Sequence, residues 1–198
     1  MRTPKKAEKV PKIEHFAHQI DGWCNFRDFY REIAEWIPDG GRWVEVGVYW
    51  GQSFGFGVVE CLNRGKTIDF VAVDIFSWTS PEGWPMEQKF HHEMRHVVGH
   101  YRAIRGASWE VAAQFEDQSI DFVFIDADHI YEHVRKDVLA WLPKVKPGGI
   151  IAGHDYNPPH EVKRAVDEIF GDRVIPVPSD DNDGTDATPN FFSWKVQL

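Results

Sequence analysis

Residues 45–51 read E-V-G-V-Y-W-G, and this turn with two glycines separates segments of different character. Residues 43–46 have the apolar pattern of a short buried strand, whereas residues 52–63 have the spacing of a helix. Gly47 allows the backbone to turn sharply, and Gly51 allows a ligand or a helix to approach closely. The spacing is G-x-x-x-G, which differs from the G-x-G-x-x-G of dinucleotide-binding folds. The turn therefore predicts a strand–helix unit with room for a ligand at the end of its strand.

Strands and helices alternate on both sides of this turn. The first helix is predicted at residues 26–37, where Asn25 and Asp28 have the spacing of a capping box. Further strands are predicted at residues 68–73, 101–105, 120–125 and 149–153, and further helices at 108–115, 131–142 and 160–170. Two last strands, 174–177 and 191–196, follow each other without a helix and predict an antiparallel hairpin. The order predicts an α/β, Rossmann-like fold with a mostly parallel, seven-stranded sheet.

Length, composition and charge limit the classes of protein to be considered. The 198 residues, 42% of them hydrophobic, fit one domain with a full core. The net charge of -9 argues against binding to nucleic-acid phosphates. No segment approaches the ~18 apolar residues of a membrane helix, and Cys24 and Cys61 form no disulfide framework. We therefore expect a soluble, cytoplasmic protein that acts on a small molecule; the oligomeric state stays open, a homo-oligomer included.

Two segments depart from the alternation of strands and helices. Residues 1–20 are basic but lack the apolar stretch of a secretory signal, so we expect a partly disordered leader before a single domain at 21–198. Residues 77–100 are rich in Trp, Pro, His and Met, with a helix in their second half. This insertion is expected to act as a cap or lid in which Trp78, Trp84, Phe90 and the histidines of the segment cover an acceptor. The alternative is a helix packed on the sheet.

The same insertion contains a motif of a different enzyme class. Residues 92–96 read H-E-M-R-H, which fits the H-E-x-x-H pattern of zinc peptidases. His92 and His96 would bind zinc from one face of a helix, with Glu93 as the base. Ten histidines in the chain make a chance match plausible, and Arg102 stands where the longer pattern has its third histidine.

Acidic side chains follow three of the predicted strands. Asp74 ends the second strand, where a carboxylate can accept hydrogen bonds from the hydroxyls of a ribose, or can cap a loop. Asp126 ends the fourth strand and Asp155 the fifth, in the segments F-I-D-A-D-H and A-G-H-D-Y-N. Two carboxylates that converge at one end of a sheet repel each other unless a cation lies between them. Oxygen ligands favour Mg²⁺, Mn²⁺ or Ca²⁺, and Asp128 is a further candidate ligand.

With these features, residues 21–198 resemble the class I S-adenosylmethionine-dependent methyltransferases. The resemblance is strongest to the catechol O-methyltransferase type and to small bacterial and sugar O-methyltransferases. It implies that residues 45–51 form the cofactor turn, in which Tyr49 takes the place of the middle glycine. It also implies that Glu45 faces the methionine end of the cofactor, that Asp74 binds the ribose, and that Ser108 and Trp109 contact the adenine. The other cofactor-binding residues it implies are Gly47, Tyr49, Gly51 and Asp126.

The resemblance also implies a metal site and a base. Asp126 and Asp155 fall where the metal-dependent relatives hold Mg²⁺, and Asn157 stands one position later than the usual third ligand. His129 follows Asp126 by three residues, as the base does in the sugar O-methyltransferases. An imidazole titrates near neutrality and can accept a hydroxyl proton.

The sequence therefore predicts transfer of a methyl group from S-adenosyl-L-methionine to a hydroxyl of a small acceptor, assisted by a divalent cation. His129 and Asp126 are the predicted catalytic residues. Two other hypotheses stay open: the zinc peptidase, and a non-catalytic nucleotide-binding protein with the same fold. The second of these gives no reason for Asp126, His129 and Asp155 to occur together.

Overall fold

The computed structural model describes residues 12–157, 161–180 and 191–198. The strands are β1 (Arg42–Val46), β2 (Asp69–Asp74), β3 (Tyr101–Arg105), β4 (Ile120–Ile125), β5 (Val145–Gly153), β6 (Ile175–Pro178) and β7 (Phe191–Gln197). The helices are α1 (Arg27–Trp36), α2 (Gln52–Asn63), α3 (Met86–Glu93), α4 (Ser108–Ala112), α5 (Tyr131–Trp141) and α6 (Val162–Phe170). Among the described residues, no helix combines the length and the hydropathy needed to cross a bilayer.

The seven strands form one sheet in the order β3-β2-β1-β4-β5-β7-β6. The first five are parallel, while β7 is antiparallel to both β5 and β6. The predicted fold and its terminal hairpin are thus confirmed. Because β1, β2, β4 and β5 run in one direction, their carboxyl ends lie at the same end of the sheet, where a ligand site is expected.

Aromatic side chains fill the core on the face of the sheet that α1 and α2 cover. The ring of Trp43 meets Phe122 edge to face at 4.6 Å and Tyr30 at 4.9 Å. All three side chains are at most 1% exposed. The high aromatic content therefore belongs largely to the core. Trp23 and Trp78 are exceptions, since 74% and 68% of their surfaces are exposed.

The start of α1 differs from the predicted capping box. The carboxylate of Asp180 accepts hydrogen bonds from the backbone N–H groups of Arg27 and Asp28, the latter at 3.1 Å. Asn25 instead binds His154 with its side-chain oxygen, at 2.9 Å. The capping prediction was wrong because a residue about 150 positions away satisfies the free N–H groups of this helix.

Several predicted boundaries shift in the structure. Phe16 and Ile20 lie in the core, so the packed region begins before Asp21, while residues 1–11 of the predicted leader lie outside the described residues. Helix α4 ends three residues early, at Ala112, and β5 begins four residues early, at Val145. The predicted start of α6 at residue 160 lies outside the described residues.

The insertion at 77–100 has some side chains buried in the core and others exposed on the surface. Phe90 on α3 is fully buried and packs against Phe54 and Phe76 at ring distances of 6.1 and 5.6 Å. The lid hypothesis placed Phe90 over an acceptor, but a side chain buried in the core cannot cover one. Trp78 and Trp84 stay exposed, at 68% and 42%. The helix packs as the alternative predicted, and only the segment before it is available as a cover.

Candidate cofactor and metal site

The glycine turn crosses the end of β4 at close range. Gly47 has a φ of 85°, and a Cβ atom on it would lie 2.0 Å from the carbonyl oxygen of Asp126. The N–H of Gly47 donates to Val73 at 2.8 Å, and that of Asp126 donates to Val46 at the same distance. The turn is thus held against the ends of β2 and β4, and only glycine fits at position 47.

Gly51 allows α3 and the residues after it to pack closely on the turn. Its φ is 93°, and a Cβ atom there would lie 3.0 Å from both Met94 and Phe90. The insertion therefore packs directly on the turn. Tyr49, between the two glycines, also has a positive φ, of 49°.

Asp74 joins the turn to the end of β2. Its carboxylate accepts hydrogen bonds from the backbone N–H of Tyr49 at 3.1 Å and of Phe76 at 2.8 Å. Burial raises the pKa of this carboxyl despite these hydrogen bonds. The residue lies at the strand end where the ribose-binding acid was predicted, and it also shapes the turn.

Glu45 on β1 is completely buried beside the turn. It accepts hydrogen bonds from the hydroxyls of Tyr30, at 2.8 Å, and Ser53, at 2.5 Å. Burial raises its pKa to about 8, although both hydrogen bonds act in the opposite direction. A protonated carboxyl of this kind can pair with a positively charged group of a ligand if it releases its proton.

Glu45→Gln is expected to flatten the pH dependence of stability. Between about pH 4.5 and 8 the folded wild type keeps the Glu45 proton that the unfolded chain has released. The proton on Glu45 contributes fully to the free energy of unfolding below the pKa of the unfolded chain. This contribution is lost as pH rises to about 8, by at most about 1.4 kcal/mol per pH unit. Urea unfolding across this range measures the slope, with the exposed Glu116→Gln as control. Equal slopes in wild type and Glu45→Gln would contradict the assignment.

Three side chains gather at the ends of β4 and β5. One potential ligand atom each from Asp126, His154 and Asp155 lies within 4.8 Å of the other two. Nδ1 of His154 is 3.4 Å from Oδ2 of Asp155 and 4.0 Å from Oδ1 of Asp126. Pairing of β4 with β5 brings the residues together, and a φ of 56° at Asp155 turns the chain there.

Charge and burial act differently on the two carboxylates. Burial raises the pKa of Asp126, and the negative charge of Asp155 adds to the effect. Burial also acts on Asp155, but hydrogen bonds with His129 and His154 outweigh it and hold its pKa below the ordinary value. The group therefore consists of Asp155, whose ionised form is favoured, the carboxyl of Asp126, whose ionised form is disfavoured, and the imidazole of His154.

His129 lies at the edge of this group. Its Nε2 is 2.8 Å from Oδ2 of Asp155, and 47% of its side chain is exposed. The hydrogen bond with Asp155 raises the pKa of the imidazole, which makes it a stronger proton acceptor. The position, accessible and beside the carboxylates, is compatible with the predicted role as base.

Comparison with known proteins shows the family. The sequence profile of a family described as a methyltransferase domain matches residues 44–156, more than half of the chain. The chain belongs to this methyltransferase family. With the strand order given above, it is a class I S-adenosylmethionine-dependent methyltransferase by family and fold, as the resemblance predicted.

Solved structures of other proteins share this fold at low sequence identity. The structure of the O-methyltransferase NovP matches with a TM-score of 0.64 and 16% identity, over 86% of this chain and 78% of NovP. Cofactor-bound Rv0187 from MTB matches with a TM-score of 0.63 and 15% identity, over 96% of this chain and 84% of the other. The uncharacterized protein y4gI of Sinorhizobium fredii is 30% identical over 143 residues, 64% of this chain; the match spans only 16% of y4gI.

The predicted adenine contacts of the methyltransferase have other partners within the chain. The hydroxyl of Ser108 accepts a hydrogen bond from Nε1 of Trp141 at 2.9 Å, in the core. A contact of Ser108 to adenine would therefore have to come from its backbone. The ring of Trp109 is covered by Nζ of Lys136, 3.6 Å from the ring centroid.

One of the predicted metal ligands, Asp128, is not brought into the group. Oδ2 of Asp128 lies 2.7 Å from Nδ1 of His133, and its other oxygen accepts from the N–H of Ile130. Asn157 follows the group, and its side-chain oxygen is buried without a hydrogen-bond partner among the described residues. The third member of the group is His154, which was not predicted as a ligand from the sequence. The signal was present, since His154 directly precedes Asp155 at the end of a predicted strand.

The structure does not assemble the zinc site of the alternative hypothesis. Helix α3 ends at Glu93 and a 3-10 turn follows, so His92 and His96 do not share one helical face. The ring of His92 packs on Trp84, and that of His96 on Phe16. Glu93 is paired with Lys89 at 2.9 Å. The H-E-x-x-H match is therefore a coincidence of sequence.

Asp74→Ala is expected to weaken binding of S-adenosylhomocysteine by roughly 1–3 kcal/mol, because a charged hydrogen-bond acceptor is lost. Calorimetric titration measures the change, with the exposed Asp117→Ala as matched control. Circular dichroism checks that the turn, which Asp74 also supports, still folds. An affinity equal to that of the wild type would remove Asp74 from the cofactor site.

Proposed function

We propose that this methyltransferase transfers the methyl group of S-adenosylmethionine to a hydroxyl oxygen of a small acceptor, with a divalent cation at Asp126 and Asp155. The observation that carries the proposal is the position of these carboxylates. They end β4 and β5, and the main chain of Asp126 touches Gly47 of the cofactor turn. A cation held there would lie beside the cofactor's reactive end.

The donor set fits a divalent cation. Asp126 and Asp155 supply oxygen atoms, and the neighbouring His154 supplies a nitrogen, all within 4.8 Å. Such a cation would supply a positive charge that lowers the pKa of an acceptor hydroxyl. His129 would take the hydroxyl proton at Nδ1, because its Nε2 donates a hydrogen bond to Asp155 at 2.8 Å, and this contact orients the imidazole. The chain otherwise has to align the acceptor oxygen with the methyl group.

The surface around the turn favours a small acceptor with a flat face. Tyr49 on the turn lies 6.2 Å from the ring of Trp23 and 6.3 Å from that of Trp78. Both tryptophans are largely exposed, and rings of this kind bind flat apolar or sugar faces. The net charge of -9 argues against a nucleic acid as the acceptor. NovP, an O-methyltransferase with the same fold, supports oxygen as the acceptor atom.

Labelled methyl donor and a panel of catechols, phenols and sugars, each with an amine analogue, test the proposal. Methylation of hydroxyl compounds but not of amines is expected. Excess chelator should abolish it while binding of S-adenosylhomocysteine stays unchanged, because the glycine turn and Asp74 hold the cofactor. Asp126→Asn should slow the reaction steeply, whereas Asp117→Asn, on an exposed loop, should not. Full-rate methylation in excess chelator would contradict the role of the cation.

A further inference from the structure

His154 is oriented as a metal ligand by a partner on its far side. Its Nε2 lies 2.9 Å from the side-chain oxygen of Asn25, which can only accept a hydrogen bond. Nε2 therefore carries the proton, and Nδ1 faces Asp126 and Asp155. Metal-binding histidines almost always donate their second ring N–H to such an oxygen, which fixes the tautomer and the orientation of the ring.

The surroundings of His154 restrict the ring further. Phe26 packs on the imidazole at a ring distance of 5.1 Å and Phe192 stacks on it at 6.3 Å. Only 10% of the side chain is exposed. Nδ1 lies 3.4 Å from Oδ2 of Asp155 and can hold a proton there, and a cation between the three atoms would take the place of that proton.

A second, independent observation points to a ligand in the same place. Trp194 on β7 is 1% exposed, and its Nε1–H has no hydrogen-bond partner among the described residues. The indole lines a cavity of about 10 Å³ together with Asp126, His129 and His154. A buried N–H donor without an acceptor is costly, and the cavity has room for one oxygen ligand such as a water.

We propose that His154 binds the cation through Nδ1, and that this site prefers Mn²⁺ or another first-row transition ion to Mg²⁺. The inference rests on the cation of the proposed function and names a different ion from the magnesium predicted from the resemblance. Mg²⁺ prefers oxygen ligands in octahedral geometry and rarely takes nitrogen. Imidazole binds transition ions more strongly, so one imidazole with two carboxylates shifts the preference toward them.

Calorimetric titration of chelator-treated protein with Mn²⁺ and with Mg²⁺ tests the preference. At least about tenfold tighter binding of Mn²⁺ is expected. His154→Asp, which restores an all-oxygen site, should bring the two affinities within about threefold of each other. Asn25→Ala should weaken Mn²⁺ binding by about 10–100-fold, because the imidazole loses its orienting partner. His91→Ala, an exposed histidine on α3, is the control and should leave both affinities unchanged.

Pulsed electron paramagnetic resonance of the Mn²⁺ complex tests the ligand itself without relying on a variant. Coupling to a directly bound imidazole nitrogen is expected in the wild type and should be missing in His154→Asp. Equal affinities for the two ions, no nitrogen coupling, or no binding of Mn²⁺ would each overturn the proposal, leaving His154 as an imidazolium paired with Asp155. Binding of S-adenosylhomocysteine and methylation of the acceptor panel are measured separately, so that failure of the metal preference is distinguishable from failure of the proposed function.

Discussion

Replacement of His129 by alanine is expected to lower the turnover number by about 10²–10⁴-fold, the usual effect of losing a general base. The imidazole lies 2.8 Å from Asp155 and is nearly half exposed, so an acceptor hydroxyl can reach it. Without this group, the site loses its exposed imidazole, the side chain expected to accept the hydroxyl proton. Affinity for S-adenosylhomocysteine should not change, because the glycine turn and Asp74, not His129, are the residues expected to hold the cofactor.

The loss should appear in kcat and be partly restored by added imidazole or by higher pH. His133→Ala is the matched control, since His133 is also exposed and also paired with an aspartate, Asp128, but lies outside the group. A turnover number of His129→Ala within about threefold of the wild type would assign the proton transfer to another group.

Gly47→Ala is expected to be the most destabilising single substitution in the cofactor turn, by about 3 kcal/mol or more. The added Cβ would lie 2.0 Å from the carbonyl oxygen of Asp126, and the φ of 85° is unfavourable for alanine. The turn and the end of β4 must then move apart, which disturbs the cofactor turn and the carboxylate group together. Binding of S-adenosylhomocysteine should be lost even where the variant still folds.

Gly65→Ala separates the two causes of this effect. Gly65 has a similar φ, of 73°, but a Cβ atom added there would meet no atom of the described residues within 4 Å, so only backbone strain is added. Its cost should be about 1 kcal/mol, with cofactor binding intact. Urea unfolding of both variants measures the difference. Similar losses in the two would show that the contact with Asp126 contributes nothing.

The fold could be predicted because its signals are local. The apolar strand, the glycine turn and the following helix at residues 42–63 are neighbours in sequence, and β1 and α2 form there within one residue of the prediction. The acids at the strand ends were likewise found, because parallel strands place their carboxyl ends at one end of the sheet. Asp126 and Asp155 thus come together as expected.

What could not be predicted depends on contacts between distant parts of the chain. Asn25 has the sequence spacing of a helix cap, but Asp180 caps α1 and frees Asn25 to orient His154. Ser108 was expected at the adenine, yet Trp141 engages its hydroxyl in the core. His154 was overlooked although it directly precedes Asp155, because Asn25, the partner that orients its ring, lies far away in the sequence.

The glycine turn and Asp74 are expected to bind S-adenosylmethionine, and calorimetric titration of the wild-type protein shows whether the protein has such a site. S-adenosylmethionine and S-adenosylhomocysteine are titrated first, and NAD serves as the comparison, because it also binds at glycine turns of parallel sheets. Saturable binding of both S-adenosyl compounds is expected at roughly micromolar dissociation constants, with NAD far weaker. Tight binding of NAD without any heat from S-adenosylmethionine would contradict this expectation.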